Sequence, residues 1–86
     1  MVKIEKFEFV GDWKIRFYFS DGSKNLVDFS SFIGDDALSS RLRDLNFFHQ
    51  VKLYEGGRGI FWPNDFDFCP DFLISYKSQG ETISHP

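Results

Sequence analysis

The stretch DWKIRFYFSDGSKNLVDF, residues 12–29, predicts a β-hairpin. In its first half, four large apolar side chains alternate with polar or charged ones. The apolar side chains are Trp13, Ile15, Phe17 and Phe19. A period of two is typical of a strand that buries one face and exposes the other. The Asp21-Gly22 pair that follows favours a reversal of the chain. The stretch therefore predicts two antiparallel strands that share one apolar face.

The register of this hairpin depends on the length of its turn. A two-residue turn would place apolar side chains opposite charged ones. A three-residue loop over Ser20–Gly22, with its glycine in the left-handed conformation, instead pairs Ile15 with Val27. The same loop pairs Lys14 with Asp28 on the exposed face. Because burial of one face sets the register, we predict the three-residue loop.

A further strand is predicted over residues 2–10, before the hairpin. In a regular strand Ile4 would point to one side, whereas Phe7 and Phe9 would point to the other. A β-bulge near Glu5-Lys6 accounts for this change of phase. The three strands together predict an antiparallel meander.

Residues 30–50 lose the alternation and predict short helices. Asp35 or Asp36 can cap the first helix, and Asp44 can cap a further turn, because aspartate side chains accept backbone N–H groups at helix starts. The side chains that these helices carry are Leu38, Arg41, Leu42, Phe47 and Phe48.

The last part of the chain predicts a second β-hairpin and then a helix. Residues 51–64 form the hairpin, with its turn at residues 55–59. Pro63 ends the second strand because it has no N–H for the ladder. Pro70 suits the first position of a helix that ends near residue 76. The side chains that this helix offers to the core are Phe72, Leu73 and Tyr76.

Together these elements predict an α+β fold. It consists of a three-stranded antiparallel meander, short helices, a second β-hairpin and a short C-terminal helix. Eighty-six residues make one domain with a thin core. We assign this domain to residues 1–76, and we expect the polar tail, residues 77–86, to fray because it has few apolar side chains.

Charge and composition exclude several classes of function. Ten basic and thirteen acidic residues give a net charge of −3, without a basic run, so direct binding of nucleic acid is not expected. No apolar run approaches the roughly 18 residues of a membrane span, and the start lacks a signal-peptide pattern. A single Cys fits a reducing, cytoplasmic location. No membrane partner and no cofactor are predicted.

The segment GIFWPNDFDFCPD, residues 59–71, is dense in residues that can do chemistry. It holds three aspartates that could ligate a metal or accept backbone N–H groups: Asp65, Asp67 and Asp71. Cys69 lies at a helix start, where a thiolate is stabilised, and a nucleophile would also need a base such as His49. We predict caps and turns, with no metal ligand and no catalytic residue. The alternative is a small enzyme or a metal- or ligand-binding domain that uses Asp65, Asp67, Cys69 and His49.

The aromatic content predicts a contact surface. Twelve Phe, three Tyr and two Trp are more than one thin core readily holds, and exposed apolar patches mark interfaces. We place the surface where the second hairpin meets the final helix: Tyr54, Arg58, Phe61, Trp62, Asn64 and Phe66. The expected partner is another small protein, or a second copy in a weak homodimer.

Phe61 is the central residue of this predicted surface. Strand parity places it on one face of the hairpin with Lys52 and Tyr54, and it is too apolar for an ordinary exposed position. Two alternatives follow. Either the final helix or the segment SSFIG, residues 30–34, covers this face, or a second protein chain does.

Several fragments, taken in order, resemble a known family. They are FSDG (19–22), VDF (27–29), LRD before a Phe pair and Val51, WPN (62–64) and D-x-x-P-D-x-L (67–73). Over about residues 2–76 they are similar to the small bacterial domain family of unknown function numbered 2442. Cys69 departs from the pattern, since the family usually has an acidic residue there.

The resemblance implies an α+β domain without an established activity. It also implies partners among other small bacterial proteins, because members occur in gene pairs that resemble toxin–antitoxin modules. The expected function is therefore that of a protein-binding or regulatory module, the antitoxin-like member of such a pair, and not that of an enzyme.

Overall fold

A computed structural model describes residues 1–77 of the chain. Its first sheet contains, in order across the sheet, β1 (Ile4–Phe9), β2 (Lys14–Phe19) and β3 (Lys24–Asp28). Both strand pairs are antiparallel. Ile15 pairs with Val27 and Lys14 with Asp28, so the predicted register is confirmed.

The turn between β2 and β3 is the predicted three-residue loop. The Phe19 N–H donates to the Ser23 carbonyl at 2.9 Å, which leaves Ser20–Gly22 outside the ladder. Gly22 has φ 88°, in the left-handed region that glycine adopts without steric cost. The Asp21 carboxylate accepts the Ser23 N–H at 2.9 Å and fixes the shape of the loop.

A β-bulge interrupts β1, as predicted. Ile4 pairs with Phe19 and Phe7 pairs with Phe17, and the register shifts between Ile4 and Lys6. Residues that pair directly lie on the same face of a sheet. The bulge therefore turns Ile4 and Phe7 toward the face that buries Phe17 and Phe19.

Short helical segments connect the two sheets. They are the 3₁₀ helices Phe29–Phe32 and Ser39–Arg43 and the helix α1 (Leu45–Phe48). The first of them was not predicted. It forms because the Asp28 carboxylate, at the end of β3, accepts the Ser30 N–H at 3.0 Å. No helix within residues 1–77 is long and apolar enough to cross a bilayer.

One of the predicted aspartate caps is confirmed, and another aspartate accepts a backbone N–H from a position further before its helix than predicted. Asp44 caps α1 and accepts the Asn46 N–H at 2.9 Å, which confirms that prediction. Asp36, rather than Asp35, accepts the Ser39 N–H at 2.8 Å, although it precedes the first helical residue by more than one position. The segment that it stabilises is 3₁₀ rather than α-helical.

The second sheet has three strands rather than the two of the predicted hairpin. It contains β4 (Lys52–Leu53), β5 (Ile60–Phe61) and β6 (Asp67–Phe68), in that order. Leu53 pairs with Ile60, as the predicted parity requires. The helix α2 (Pro70–Ser75) follows, with Pro70 at its start as predicted. The α+β fold is thus confirmed, and β6 is the strand that the sequence did not reveal.

One buried cluster joins the two sheets. Its largest fully buried side chains are Trp62, Phe17, Phe19, Phe29 and Phe48. From α2, Leu73 enters this core, but Phe72 keeps 40% of its surface exposed, so its predicted place in the core was wrong. Phe72 instead lies against the ring of Phe68, with centroids 5.4 Å apart. Of the predicted tail, residues 78–86 lie outside the described part of the chain.

Gly57 brings the second hairpin against β1. It lies in the 3₁₀ turn Glu55–Gly57 between β4 and β5, with φ 73°. A Cβ at this position would overlap the carbonyl oxygen of Ile4. Only glycine permits both the left-handed backbone and this close approach.

Substituting Gly57 by Ala should therefore destabilise the protein far more than the same change at Gly22. Gly22 has a similar φ, 88°, but a Cβ there meets nothing within 4 Å. We expect Gly22→Ala to cost about 1–2 kcal/mol of unfolding free energy, the cost of left-handed backbone. Gly57→Ala should cost upward of about 4 kcal/mol. Urea unfolding of both variants measures the difference, and equal losses would contradict the close contact with Ile4.

Candidate functional site

The segment WPNDF, residues 62–66, forms the tight turn between β5 and β6. The Trp62 N–H donates to the Phe66 carbonyl, and the Asp65 N–H donates to the Trp62 carbonyl, both at 2.9 Å. Pro63 occupies the turn position that favours proline, and the Asn64 carboxamide oxygen accepts the Phe66 N–H at 3.2 Å. The turn repeats the geometry of the β2–β3 loop.

Asp65 takes the position that glycine takes in the first loop. Its φ is 69°, and it is the one residue other than glycine with positive φ in residues 1–77. Asp65 therefore serves the turn through its backbone conformation, which aspartate tolerates better than most residues. The side chain that accepts a backbone N–H is that of Asn64, so the predicted role of Asp65 as a cap is not the one observed.

Trp62 does not belong to an accessible surface. It is fully buried, and its indole N–H donates to the Phe48 carbonyl at 2.9 Å. This corrects its predicted place at the contact surface, because a side chain without exposed area contacts no partner. Phe66 is half-buried and packs against Trp62 and Phe68, with centroid distances of 5.9 and 5.2 Å.

The outer face of the second sheet brings together four side chains, which we call the Tyr54–Phe61 face: Lys52, Tyr54, Phe61 and Asp67. Phe61 pairs with Lys52 on one side and with Asp67 on the other. The Tyr54 ring stacks on Phe61, with centroids 4.5 Å apart and planes 26° from parallel. The Tyr54 hydroxyl donates to Asp67 at 2.8 Å.

Within the chain, Phe61 is covered neither by the final helix nor by SSFIG, the two internal covers that the sequence suggested. Phe61 is half-buried beneath Tyr54, from its own sheet, and Tyr54 keeps 37% of its surface exposed. Phe32, the aromatic residue of SSFIG, packs against Phe29 and Phe68 instead. The result is a stacked aromatic pair in which Tyr54 is exposed and Phe61 is half-buried.

The bond to Asp67 changes the acidity of Tyr54. Hydrogen bonding to the Asp67 carboxylate raises the pKa of the Tyr54 phenol above its usual 10.0, and desolvation and the charges of Asp67 and Asp65 act in the same direction. Tyr54 thus stays a neutral donor under physiological conditions. The sequence suggested a cap or metal ligand for Asp67, and its observed partner is a tyrosine.

Asn64 and Arg58, the other two residues predicted for the contact surface, have different surroundings. The half-buried Asn64 donates its amide to the Leu38 carbonyl at 3.1 Å, while its oxygen holds the turn, so its role is structural. Arg58 is exposed at the end of the Glu55–Gly57 turn.

Two residues of the enzyme or metal alternative, His49 and Cys69, have different surroundings. The His49 ring packs against Phe9, with centroids 4.7 Å apart. Cys69 is an exposed thiol that precedes Pro70 at the start of α2. Within residues 1–77, no three His, Cys, Asp or Glu side chains converge as a metal site requires.

Comparison with known proteins adds one finding. Residues 4–79 match the family model described as Protein of unknown function (DUF2442). The chain belongs to this family. Neither the curated proteins nor the solved structures contain a match. The DUF2442 match includes every strand and both α-helices described above.

Removing the Asp67 carboxylate should return the pKa of Tyr54 toward its ordinary value. In Asp67→Ala, NMR titration of the tyrosine ring carbons should show Tyr54 ionising at lower pH than in the wild type. Tyr18 is an internal control, because its pKa is raised chiefly by a hydrogen bond to Glu8. An unchanged Tyr54 titration would contradict the bond.

The raised pKa of Tyr54 determines in which direction stability changes with pH. Since the folded form holds the phenol proton more tightly, the stabilisation from the Tyr54–Asp67 bond is complete below the ordinary phenol value of 10.0. It is lost as the pH rises through the raised value of the folded state. Asp67→Ala should lack this loss.

Glycine at position 65 should stabilise the protein. Asp65→Gly relieves the left-handed strain, and we expect a gain of about 0.5–1 kcal/mol in unfolding free energy. Asp65→Ala is the control, because it removes the carboxylate but keeps the unfavourable φ. Thermal and urea unfolding measure the stability of both variants. An equal gain in unfolding free energy for Asp65→Ala and Asp65→Gly would show that loss of the charge, and not relief of the backbone, is the cause.

Proposed function

We propose that this DUF2442 domain is a protein-binding regulatory module, which acts without catalysis and docks a small protein partner on the Tyr54–Phe61 face. The observation that carries the proposal is the stacked aromatic pair, in which the exposed Tyr54 is held over the half-buried Phe61 by its bond to Asp67. Aromatic side chains dominate the binding energy of interfaces. A pair that is already ordered loses little side-chain entropy on binding.

The composition of the face favours a protein over other partners. An apolar centre, Tyr54 on Phe61, lies between one positive and one negative side chain, Lys52 and Asp67. An apolar centre within a polar rim is the usual anatomy of a protein interface. A polyanion would need a basic surface, and the chain carries a net charge of −3. Direct binding of nucleic acid or of an anionic membrane is therefore not proposed.

The proposed partner is the product of an adjacent bacterial gene. Support comes from the resemblance to family members in gene pairs similar to toxin–antitoxin modules, which would make this chain the antitoxin-like member. A cytoplasmic location is part of the same proposal, and the single Cys is compatible with it. To neutralise a toxic partner directly, this domain would have to cover the surface through which the partner arrests growth.

Co-expression with the neighbouring gene tests the proposal. The neighbour alone should arrest growth, and the wild-type domain should relieve the arrest and co-purify with it. Phe61→Ser should weaken this complex at least tenfold, because central aromatic anchors contribute about 2 kcal/mol or more. Tyr54→Phe, which keeps the ring and removes the bond to Asp67, should weaken it less.

Leu26→Ser is the matched control. Leu26 is also exposed, at 41%, but lies on β3 of the first sheet, so its loss should leave the complex unchanged. Circular dichroism confirms that each variant is folded. Equal binding by Phe61→Ser and the wild type would refute the docking face, and a hydrolase activity abolished by Cys69→Ser would refute the non-catalytic role.

A further inference from the structure

The outer edge of β1 is a second surface suited to association. β1 lies at the end of its sheet, and within residues 1–77 no strand pairs with its other side. The Val10 N–H donates to the Lys14 carbonyl at 3.0 Å. Because hydrogen-bonded pairs alternate in antiparallel ladders, the backbone groups of Lys6 and Glu8 also face β2, and those of Phe7 and Phe9 face outward.

The side chains beside this edge carry opposite charges at fixed positions. Glu8 accepts hydrogen bonds from Arg16 at 3.1 Å and from the Tyr18 hydroxyl at 2.6 Å. The Lys6 amine lies 4.8 Å from the centre of the Tyr18 ring. Lys6 and Glu8 are thus ordered on the exposed face of β1. On the other face, Phe9 keeps 40% of its surface exposed at the same edge.

We propose that a second copy of the chain pairs with β1 in antiparallel orientation, centred on Phe7. Lys6 of each copy then lies opposite Glu8 of the other, which forms two equivalent cross-strand pairs of opposite charge. The outward backbone groups of Phe7 bond to those of Phe7 in the second copy. The two three-stranded sheets become one continuous sheet around a twofold axis.

Charge complementarity favours the register centred on Phe7 over the register shifted by one residue, which is centred on Glu8. Centring the pair on Glu8 would place two Glu8 side chains opposite each other, and like charges in directly opposed positions are destabilising. Gly57 covers the backbone of Ile4, so the accessible edge is short and the dimer weak. The Tyr54–Phe61 face belongs to the other sheet, so this inference does not rest on the proposed function.

Charge reversal tests the register. In sedimentation up to about 1 mM, the wild type should form dimers. Lys6→Glu and Glu8→Lys should each weaken self-association at least about tenfold, since each reverses both pairs. Mixed together, these two variants should form heterodimers, because every opposed pair is then complementary. Lys24→Glu, an equal change of charge on β3 at the far edge, should leave association unchanged.

Hydrogen exchange supplies a second measurement that does not depend on the variants. The Phe7 amide of the wild type should exchange rapidly at low concentration and become protected as concentration rises, whereas the Glu8 amide should be protected throughout. A wild type that stays monomeric at 1 mM, or variants that fail to associate when mixed although folded by circular dichroism, would overturn the proposal.

Discussion

The hydrogen bond from the Trp62 indole to the Phe48 carbonyl is the contact on which the relation of the two sheets depends. It ties the end of β5 to α1, and the same indole packs against Phe29 at the end of β3, with centroids 5.7 Å apart. A buried indole N–H without an acceptor would cost about 1–3 kcal/mol. The bond therefore fixes one orientation of the ring, and the aromatic core is arranged around it.

The first sheet could be predicted because its signals are local. Alternation fixes the faces, the Asp21-Gly22 loop fixes the register, and the phase change at Glu5-Lys6 reveals the bulge. The strand β6 has two residues, too few for any period, and its pairing depends on the turn at residues 62–66. Phe72 was misplaced because α2 is too short for one face to be read from its spacing. The buried residues of α2 are Pro70 and Leu73.

The sequence predicted which side chains share the Tyr54–Phe61 face, but not all of the contacts among them. Parity placed Tyr54 and Phe61 on one face, and they do stack there. The aromatic content also suggested a place for Trp62 at the contact surface, but its ring is fully buried. That Asp67 would meet Tyr54 could not be read from the sequence, because the contact requires three strands side by side.

The contact of Gly57 with Ile4 has a consequence for the order of folding. During synthesis β1, β2 and β3 leave the ribosome early and can pair through short connections, which form quickly. The backbone of Ile4 acquires its neighbour only when the second hairpin has emerged. Until then the backbone of Ile4 is also open to other nascent chains, so the late-formed Glu55–Gly57 turn shortens the edge on which misassembly can begin.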